Sequence, residues 1–205
     1  YKNKVMCKRR RDTTGLQVME MIQGDEHTFD CWVTYKAPNG NIIPIRPKLV
    51  CWIDTRSRMI LGDVMCKDAD SQTLKASLLK LIYHDAGSVP RYLYIDNGKD
   101  YTSKEMLGVD RKYRHDQAEK EKHFAVAFDD MARGFYRSIG IEDVHISMPY
   151  EPWTKGQIER FFGTVCRKFT RWVTSYTGTL TGSFTADKVN KNIKEMAKQG
   201  KLLSL

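Results

Sequence analysis

Three acidic residues stand at positions where folding could bring their carboxylates together. Asp25 lies in a segment that alternates as a β-strand does, and an aspartate is unfavourable there unless something such as a cation compensates for it. Asp96 ends a strand-like segment, and the carboxyl ends of sheet strands are where α/β proteins place ligands. Glu159 belongs to a helical segment that follows a proline-containing basic loop. These positions predict one acidic site assembled from three elements.

Two of these residues also have a simpler interpretation. Asp96 precedes an Asn-Gly pair, and this combination is typical of a tight turn. Glu159 could instead be an exposed side chain that pairs with Lys155 or Arg160. Taken alone, neither residue distinguishes a catalytic role from a structural one. The distinction depends on whether the three acids lie together in the folded protein.

Two other aspartates compete with Asp25 for a role in the site. Asp30 has the opposite parity in the alternating segment, so a continuous strand would point its side chain to the other face. Asp54 is followed by Ser57 and Arg58 in a polar stretch that is typical of a turn. We therefore prefer Asp25 as the strand carboxylate.

The helical segment 154–176 can be analysed by angle, at about 100° per residue. Its apolar residues form one broad face: Ile158, Phe161, Phe162, Val165, Phe169 and Trp172. Glu159 falls at the edge of this face, beside Cys166. A stripe on the far side is predicted to meet DNA phosphates, together with Lys155 at the start of the helix, and consists of Arg160, Arg167 and Arg171. The alternative is that the stripe is only solvated charge.

The elements that would position the acids begin with three strand-like segments. They cover residues 16–35, 48–54 and 59–66, with a hairpin turn at 37–41. Three antiparallel strands in succession are the most economical interpretation. A helix then begins near Asp70 or Ser71 and ends at Gly87 and Pro90.

The rest of the core alternates between strands and helices. A strand over 91–96 is followed by a charged surface excursion over 102–127, a helix over 128–140, a strand over 144–148 and the helix 154–176. The order β-β-β-α-β-α-β-α predicts an α/β fold with an RNase H-like mixed sheet and flanking helices, rather than a doubly wound sheet or a TIM barrel.

Charge divides the 205 residues into a near-neutral body and two basic ends. The formal net charge is +9, of which residues 1–11 carry +6, residues 151–205 carry +6 and residues 12–150 carry −3. This distribution indicates a protein that meets a polyanion, although solvated surface charge would also explain it. We predict a basic N-terminal segment over 1–15, an RNase H-like core over 16–176, and a linker with a basic helix over 177–205.

Composition argues against several other classes of protein. The five cysteines are odd in number and lack the close spacing of zinc ligands, so neither a zinc site nor a disulfide framework is expected, and a reducing, intracellular setting follows. No stretch approaches the roughly 18–20 apolar residues that span a bilayer, and the basic start has no apolar segment behind it as a signal peptide would. We therefore expect no membrane partner.

Four segments resemble the catalytic core of Mu-type DDE transposases, within the retroviral-integrase and RNase H-like superfamily. They are QGDEHTFDCWV, WIDTRSRMILG, YLYIDNGKDY and SMPYEPWTKGQIERFFGTV. The resemblance covers roughly residues 16–176, and its most specific part is the last segment, in which Lys-Gly precedes a helix with Glu-Arg-Phe-Phe. The interval of 62 residues between Asp96 and Glu159 is longer than in retroviral integrases, and the charged excursion accounts for the excess.

The resemblance implies an acidic triad of Asp25, Asp96 and Glu159 that is both catalytic and metal-binding. Two Mg²⁺ (or Mn²⁺) ions would activate a water or 3′-hydroxyl and stabilise the departing oxygen, and hard cations of this kind prefer carboxylate oxygens. The implied reaction is nicking at transposon 3′ ends followed by transfer of the 3′-OH into target DNA. The implied partners are element ends and target DNA, with a homo-oligomer assembled on DNA in the cytoplasm of a bacterial or prophage host.

Two alternatives stay open at the level of sequence. One is a purely hydrolytic nuclease of the RNase H superfamily, which would share the fold and the metals but not the strand-transfer step. The other is a catalytically degenerate DNA-binding domain, which an intact set of three acids argues against. Joining of a pre-nicked DNA end separates the first from a transposase, and metal-dependent cleavage separates the second.

Overall fold

Seven strands and five α-helices are found in the described part of the chain. The computed structural model describes residues 12–108, 134–147, 155–178 and 184–205, with side chains of the last segment from residue 191 onward. The strands are β1 Met21–Thr28, β2 Val33–Lys36, β3 Ile42–Ile45, β4 Lys48–Asp54, β5 Ile60–Cys66, β6 Tyr92–Ile95 and β7 Asp143–Ile146. The helices are α1 Ser71–Ile82, α2 Lys104–Leu107, α3 Phe135–Ser138, α4 Gly156–Lys168 and α5 Phe184–Lys198.

The main sheet combines antiparallel and parallel pairing around a central strand. Its order is β5-β4-β1-β6-β7, in which β1 and β5 both run antiparallel to β4. Strand β6 runs parallel to β1, and β7 runs parallel to β6. The predicted arrangement of antiparallel strands followed by αβ units is therefore confirmed.

The first predicted strand, 16–35, is two strands. Strand β1 ends at Thr28, and β2 pairs with β3 in a separate two-stranded sheet. The guanidinium of Arg46 holds the corner between them, because it donates to the carbonyl of Phe29 (3.0 Å) and to the carboxylate of Asp30 (2.5 Å). Alternation along the sequence continues through this corner and could not reveal it. A hairpin turn does lie at 37–41 as predicted, but it joins β2 to β3, a strand that the sequence did not predict.

Strand β4 is buried on both faces and separates two cores. Because successive strand residues point to opposite faces, Val50 and Trp52 meet helix α1 on one side. Leu49, Cys51 and Ile53 meet helix α4 on the other side. The two helices therefore cover opposite faces of the sheet.

Helix α1 begins as the sequence predicted and ends earlier. The carboxylate of Asp70 caps it by accepting from the backbone N–H of Thr73 at 2.8 Å. The buried side of the helix carries Leu74, Leu78 and Leu81, and the helix ends at Ile82. Most of the charged excursion and the first part of the predicted helix 128–140 lie outside the described residues, and α3 is the described remainder of that helix.

Helix α4 is shorter than predicted, which corrects part of the angular analysis. It ends at Lys168 and is followed by a short 3₁₀ turn, Thr170–Trp172. Phe169 and Trp172 were assigned to the apolar face, but they are 54% and 83% exposed. The angular series no longer holds once the α-helix has ended, so the residues of this predicted face that pack on the sheet are those up to Val165.

The C-terminal residues contact the small sheet. The backbone N–H of Thr34 donates to the carbonyl of Leu203 at 2.8 Å, and Leu205 donates back to Thr34 at 2.9 Å. The Thr177 N–H donates to the carbonyl of Asp30 at 2.9 Å. The proposed boundary at 177 stays a prediction, and these contacts cross it.

Two expectations from composition can be compared with the described residues. Cys31, Cys51, Cys66 and Cys166 are free thiols. The strand-like segments around Cys31, Cys51 and Cys66 predict buried side chains, which is confirmed for Cys31 and Cys51, whereas Cys66 is partly exposed. No helix within the described ranges is both long and apolar enough to cross a membrane.

Gly24 provides a test of the packing beside Asp25. A Cβ at this position would lie 2.3 Å from the Trp52 ring, so Gly24→Ala must displace the indole, which also donates to Ser77 at 2.8 Å. We expect a loss of about 1–3 kcal/mol in the free energy of unfolding, measured by urea denaturation. Gly15→Ala is the control because no atom of the described residues lies within 4 Å of its Cβ position. Equal stability of the two variants would contradict this packing.

Candidate active site

Asp25 lies in the middle of the central strand, on the face that α4 covers. It stands opposite Cys51 in the antiparallel register, and directly paired residues share a face of the sheet. His27 and Phe29 alternate with it on the same face, and Phe29 belongs to the same apolar cluster as Ile158 of α4. The strand therefore directs the Asp25 side chain toward the start of that helix.

Asp96 follows the last residue of β6 and comes level with Asp25. The parallel register pairs Gln23 with Tyr94, and its continuation by two residues brings Asp25 beside Asp96. The hydroxyl of Ser147 donates to Asp96 Oδ1 at 2.7 Å and so fixes the carboxylate at the end of the strand. Strand pairing alone thus accounts for the approach of two carboxylates that are distant in sequence.

Lys155 lies between these two carboxylates. Its Nζ is 2.9 Å from Asp25 Oδ1 and 4.0 Å from Asp96 Oδ2, and only 9% of its side chain is exposed. The residue immediately precedes α4, so it enters the site from a third element. Sequence reasoning assigned Lys155 to the DNA-binding surface and did not predict this position.

Glu159 completes the acidic region from the first turn of α4. Burial and the negative charges of Asp25 and Asp96 raise its pKa, while Lys155 opposes the change. The pKa of Asp96 shifts the other way: burial alone would raise it, but the hydrogen bond from Ser147 and the charge of Lys155 lower it. The three predicted acids therefore interact electrostatically, although the Glu159 side chain is exposed.

The carboxylates of Asp25 and Asp96 lie close enough together to bind one cation, and the ammonium of Lys155 lies between them. Two carboxylates from neighbouring strands already share one cation, and oxygen ligands are those that Mg²⁺ and Mn²⁺ prefer. Among the described residues, however, no group of three or more Asp, Glu, His or Cys side chains is close enough together to hold a metal ion. Asp25 and Asp96 therefore fit a metal, and a third ligand would require Glu159 to approach them.

A histidine and a cysteine fasten α4 to the central strand, and sequence reasoning missed this contact. The ring of His27 stacks on Phe162, with centroids 4.9 Å apart, and its Nε2 lies 3.0 Å from the Cys166 sulfur. Burial lowers the pKa of His27, which favours the neutral ring. Two features of the sequence could have predicted this contact. His27 lies two residues after Asp25 and so shares its face of β1, and Cys166 falls beside Glu159 on the helix.

Sequence comparison identifies the family. The sequence profile described as bacteriophage Mu transposase matches residues 13–201. The chain belongs to this family. The Mu-like prophage FluMu transposase A of Haemophilus influenzae is 33% identical over 133 residues, which are 64% of this chain and 17% of that protein. The chain thus matches only a small part of its relative's length.

Structural comparison confirms the predicted fold class. A chain in the cryo-EM structure of a simian T-cell lymphotropic virus intasome superposes with a TM-score of 0.50 and 20% identity, over 92% of this chain and 52% of that one. The HTLV-2 integrase catalytic core domain in complex with magnesium gives a TM-score of 0.32 and 15% identity, over 87% and 86% of the two chains. The five-stranded mixed sheet with flanking helices is an RNase H-like fold.

The competing aspartates have structural roles in this transposase-family domain. Asp54 is fully buried, where its carboxylate accepts from the backbone N–H groups of Met19 at 3.1 Å and Ser57 at 2.7 Å. Asp30 pairs with Arg46 at the corner after β1. Both observations agree with the preference for Asp25, and Asp54 belongs to the turn that the sequence predicted.

The predicted arginine stripe is exposed. The side chains of Arg160, Arg167 and Arg171 are all exposed. Phe169 and Trp172 lie close to Arg167 and Arg171 in the sequence, and they are exposed as well. Lys155 differs from them because its ammonium is held inside the acidic site. The contact of these four residues with DNA stays a prediction.

The hydrogen bond between Ser147 and Asp96 gives a pH prediction for the metal-free protein. Ser147→Ala should raise the pKa of Asp96, because burial is then opposed only by Lys155 and a backbone hydrogen bond. A depressed folded pKa contributes stability above the pKa of the unfolded chain, and that contribution is lost as pH falls through the folded value. The variant should therefore lose less stability between neutral and acidic pH.

Carboxyl-carbon NMR in a pH titration measures this effect directly. Ser138→Ala is the control, since its hydroxyl is exposed on α3 and donates to the carbonyl of Phe135. An Asp96 titration curve that is the same in Ser147→Ala and in the unaltered protein would contradict the proposed cause of the shift.

Proposed function

We propose that this chain is the catalytic domain of a DNA transposase that nicks DNA at transposon 3′ ends and transfers the 3′-OH into target DNA. The observation that carries this proposal is the sharing of one cation by Asp25 and Asp96, with the charge of both reaching Glu159. Membership of the Mu transposase family supports the same reaction class. The whole relative is much longer, so its full activity is part of the proposal.

The proposed catalytic and metal-binding residues are Asp25, Asp96 and Glu159. Two divalent ions held by such carboxylates would supply an activated attacking oxygen and stabilisation of the leaving oxygen. The chain itself positions the ligands: β1 and β6 fix the two aspartates by their register, and Ser147 orients Asp96. Burial and the negative charges of Asp25 and Asp96 raise the pKa of Glu159, and a bound cation would oppose this shift.

Helix α4 would present both chemistry and DNA contacts. Its buried residues Ile158 and Phe162 pack on the sheet beside Asp25, and its exposed side carries the arginine stripe. A phosphodiester backbone that runs along this surface would therefore pass the acidic site. The proposed DNA-binding residues are Lys155, Arg160, Arg167 and Arg171.

Two other functions remain as alternatives to be separated by experiment. A hydrolytic nuclease would cleave DNA but would not join ends, whereas a degenerate DNA-binding domain would do neither. The observation that favours an active enzyme is that Asp25 and the more exposed Asp96 share the buried ammonium of Lys155. Element ends and target DNA are the proposed partners, with assembly as a homo-oligomer on DNA in a bacterial or prophage setting.

Substitution of the acids tests the catalytic proposal. Asp25→Asn, Asp96→Asn and Glu159→Gln should each reduce 3′-end nicking and strand transfer by about 1,000-fold or more, since each removes a charge that acts in the transition state. DNA affinity should stay the same or rise slightly because one negative charge is lost. Gel-based nicking and joining assays with the full-length protein provide the measurement.

An exposed acid away from the site provides the control for these variants. Glu142→Gln removes a carboxylate that pairs with Arg91 on the surface, so its nicking and joining should match those of the unaltered protein. Full strand transfer by Glu159→Gln would reject the triad. Retained nicking with no joining in the unaltered protein would favour the hydrolytic alternative.

The arginine stripe gives a separate prediction about affinity. Arg160→Ala, Arg167→Ala and Arg171→Ala should each weaken binding similarly on all DNA sequences. Each should also reduce the slope of log K against log salt by about 0.9. Fluorescence anisotropy over a salt series measures both effects. Lys80→Ala is the control, because Lys80 pairs with Asp63 and lies on α1, which covers the other face of the sheet. Unchanged slopes would mean that the stripe is only solvated charge.

A further inference from the structure

Lys155 is a buried cation in an acidic site that the sheet builds without it. Its whole residue is 7% exposed, and its ammonium is 2.9 Å from Asp25 Oδ1 and 4.0 Å from Asp96 Oδ2. Burial of an ammonium is costly unless it is paired, and two neighbouring carboxylates without a cation repel each other. The ammonium therefore offsets the repulsion between the two carboxylates, and the carboxylates offset the cost of burying the ammonium.

The same position is the one that a divalent ion would need. An ion bridging Asp25 and Asp96 must approach the oxygen atoms that now face the ammonium, at the 2.0–2.6 Å typical of hard cations. An ammonium and a metal ion cannot both lie there, because they would overlap and repel. Binding of a metal at the two oxygens that face the ammonium, Asp25 Oδ1 and Asp96 Oδ2, therefore requires Lys155 to leave.

The departure of Lys155 need not disturb the helix behind it. Lys155 precedes the first residue of α4, and its side chain makes no capping hydrogen bond to the helix. The buried residues that hold α4 on the sheet, Ile158 and Phe162, lie further along the helix. A long lysine side chain can therefore change its rotamers while the helix keeps its packing.

We propose that Lys155 is an internal counter-ion that occupies the metal position until a divalent ion displaces it, and that the displaced ammonium then binds a DNA phosphate. The proposal rests on the proposed function for the identity of the metal ligands and of DNA. It adds that metal binding and phosphate binding are coupled through one side chain. Before displacement, Lys155 lowers the affinity for metal and keeps the two carboxylates together.

Metal affinity tests the first half of this proposal without any catalytic assay. Lys155→Met keeps the length of the side chain and removes its charge, so Mn²⁺ should bind about ten-fold more tightly or better, because it no longer has to displace a buried ammonium. Without metal, the variant should melt at a lower temperature, because Asp25 and Asp96 then repel each other unopposed. Free Mn²⁺ can be followed by EPR, and unfolding by calorimetry.

Two control variants accompany this measurement. Lys155→Arg keeps the competing charge and should leave Mn²⁺ binding weak, and Lys80→Met removes an exposed lysine far from the site and should change neither quantity. Unchanged, weaker or undetectable Mn²⁺ binding by Lys155→Met, up to millimolar concentrations, would overturn the proposal. The proposed function fails separately, if Glu159→Gln still joins DNA ends.

DNA binding tests the second half. With Ca²⁺ present as a hard divalent ion, Lys155→Met should reduce the salt slope for a short duplex by about 0.9, as expected for one lost phosphate contact. With EDTA, the slope should be the same as for the unaltered protein, because Lys155 is then held by Asp25 and Asp96. Equal slope changes in Ca²⁺ and EDTA, or no change in either, would reject the coupling.

Discussion

The pairing of strand β1 with both of its neighbours is the constraint on which the acidic site depends. Its antiparallel register with β4 sets the face to which Asp25 points, and its parallel register with β6 brings Asp96 level with it. A one-residue slip would turn Asp25 to the opposite face of the sheet, among the residues that pack on α1. Gly24 and Trp52 oppose such a slip because the ring lies where a side chain would be.

Convergence of carboxylates is unfavourable by itself, and the structure compensates for it with local contacts. Lys155 supplies a positive charge between the two aspartates, while Ser147 donates to Asp96. Among the described residues, no hydrogen bond or ion pair of this kind is made to Glu159, which agrees with the upward shift of its pKa. The site is thus arranged to accept positive charge.

Local sequence patterns predicted the features that depend on a single element. The strand around Asp25, the strand end at Asp96 and the capped start of α1 all follow from periodicity and turn chemistry, and the structure has them. The corner that Arg46 holds, the early end of α4 and the position of Lys155 depend on contacts between distant segments. Periodicity within one segment carries no information on such contacts, so these features required the structure.

A crystal structure of the protein soaked in Mn²⁺ tests the central claim most directly, because the anomalous signal locates the metal without reference to activity. The account predicts a Mn²⁺ peak bound by Asp25 and Asp96, with Glu159 drawn toward it and the Lys155 ammonium moved out of the space between the two aspartates. A Mn²⁺ ion bound elsewhere, or Lys155 still paired with Asp25 beside a bound ion, would contradict it.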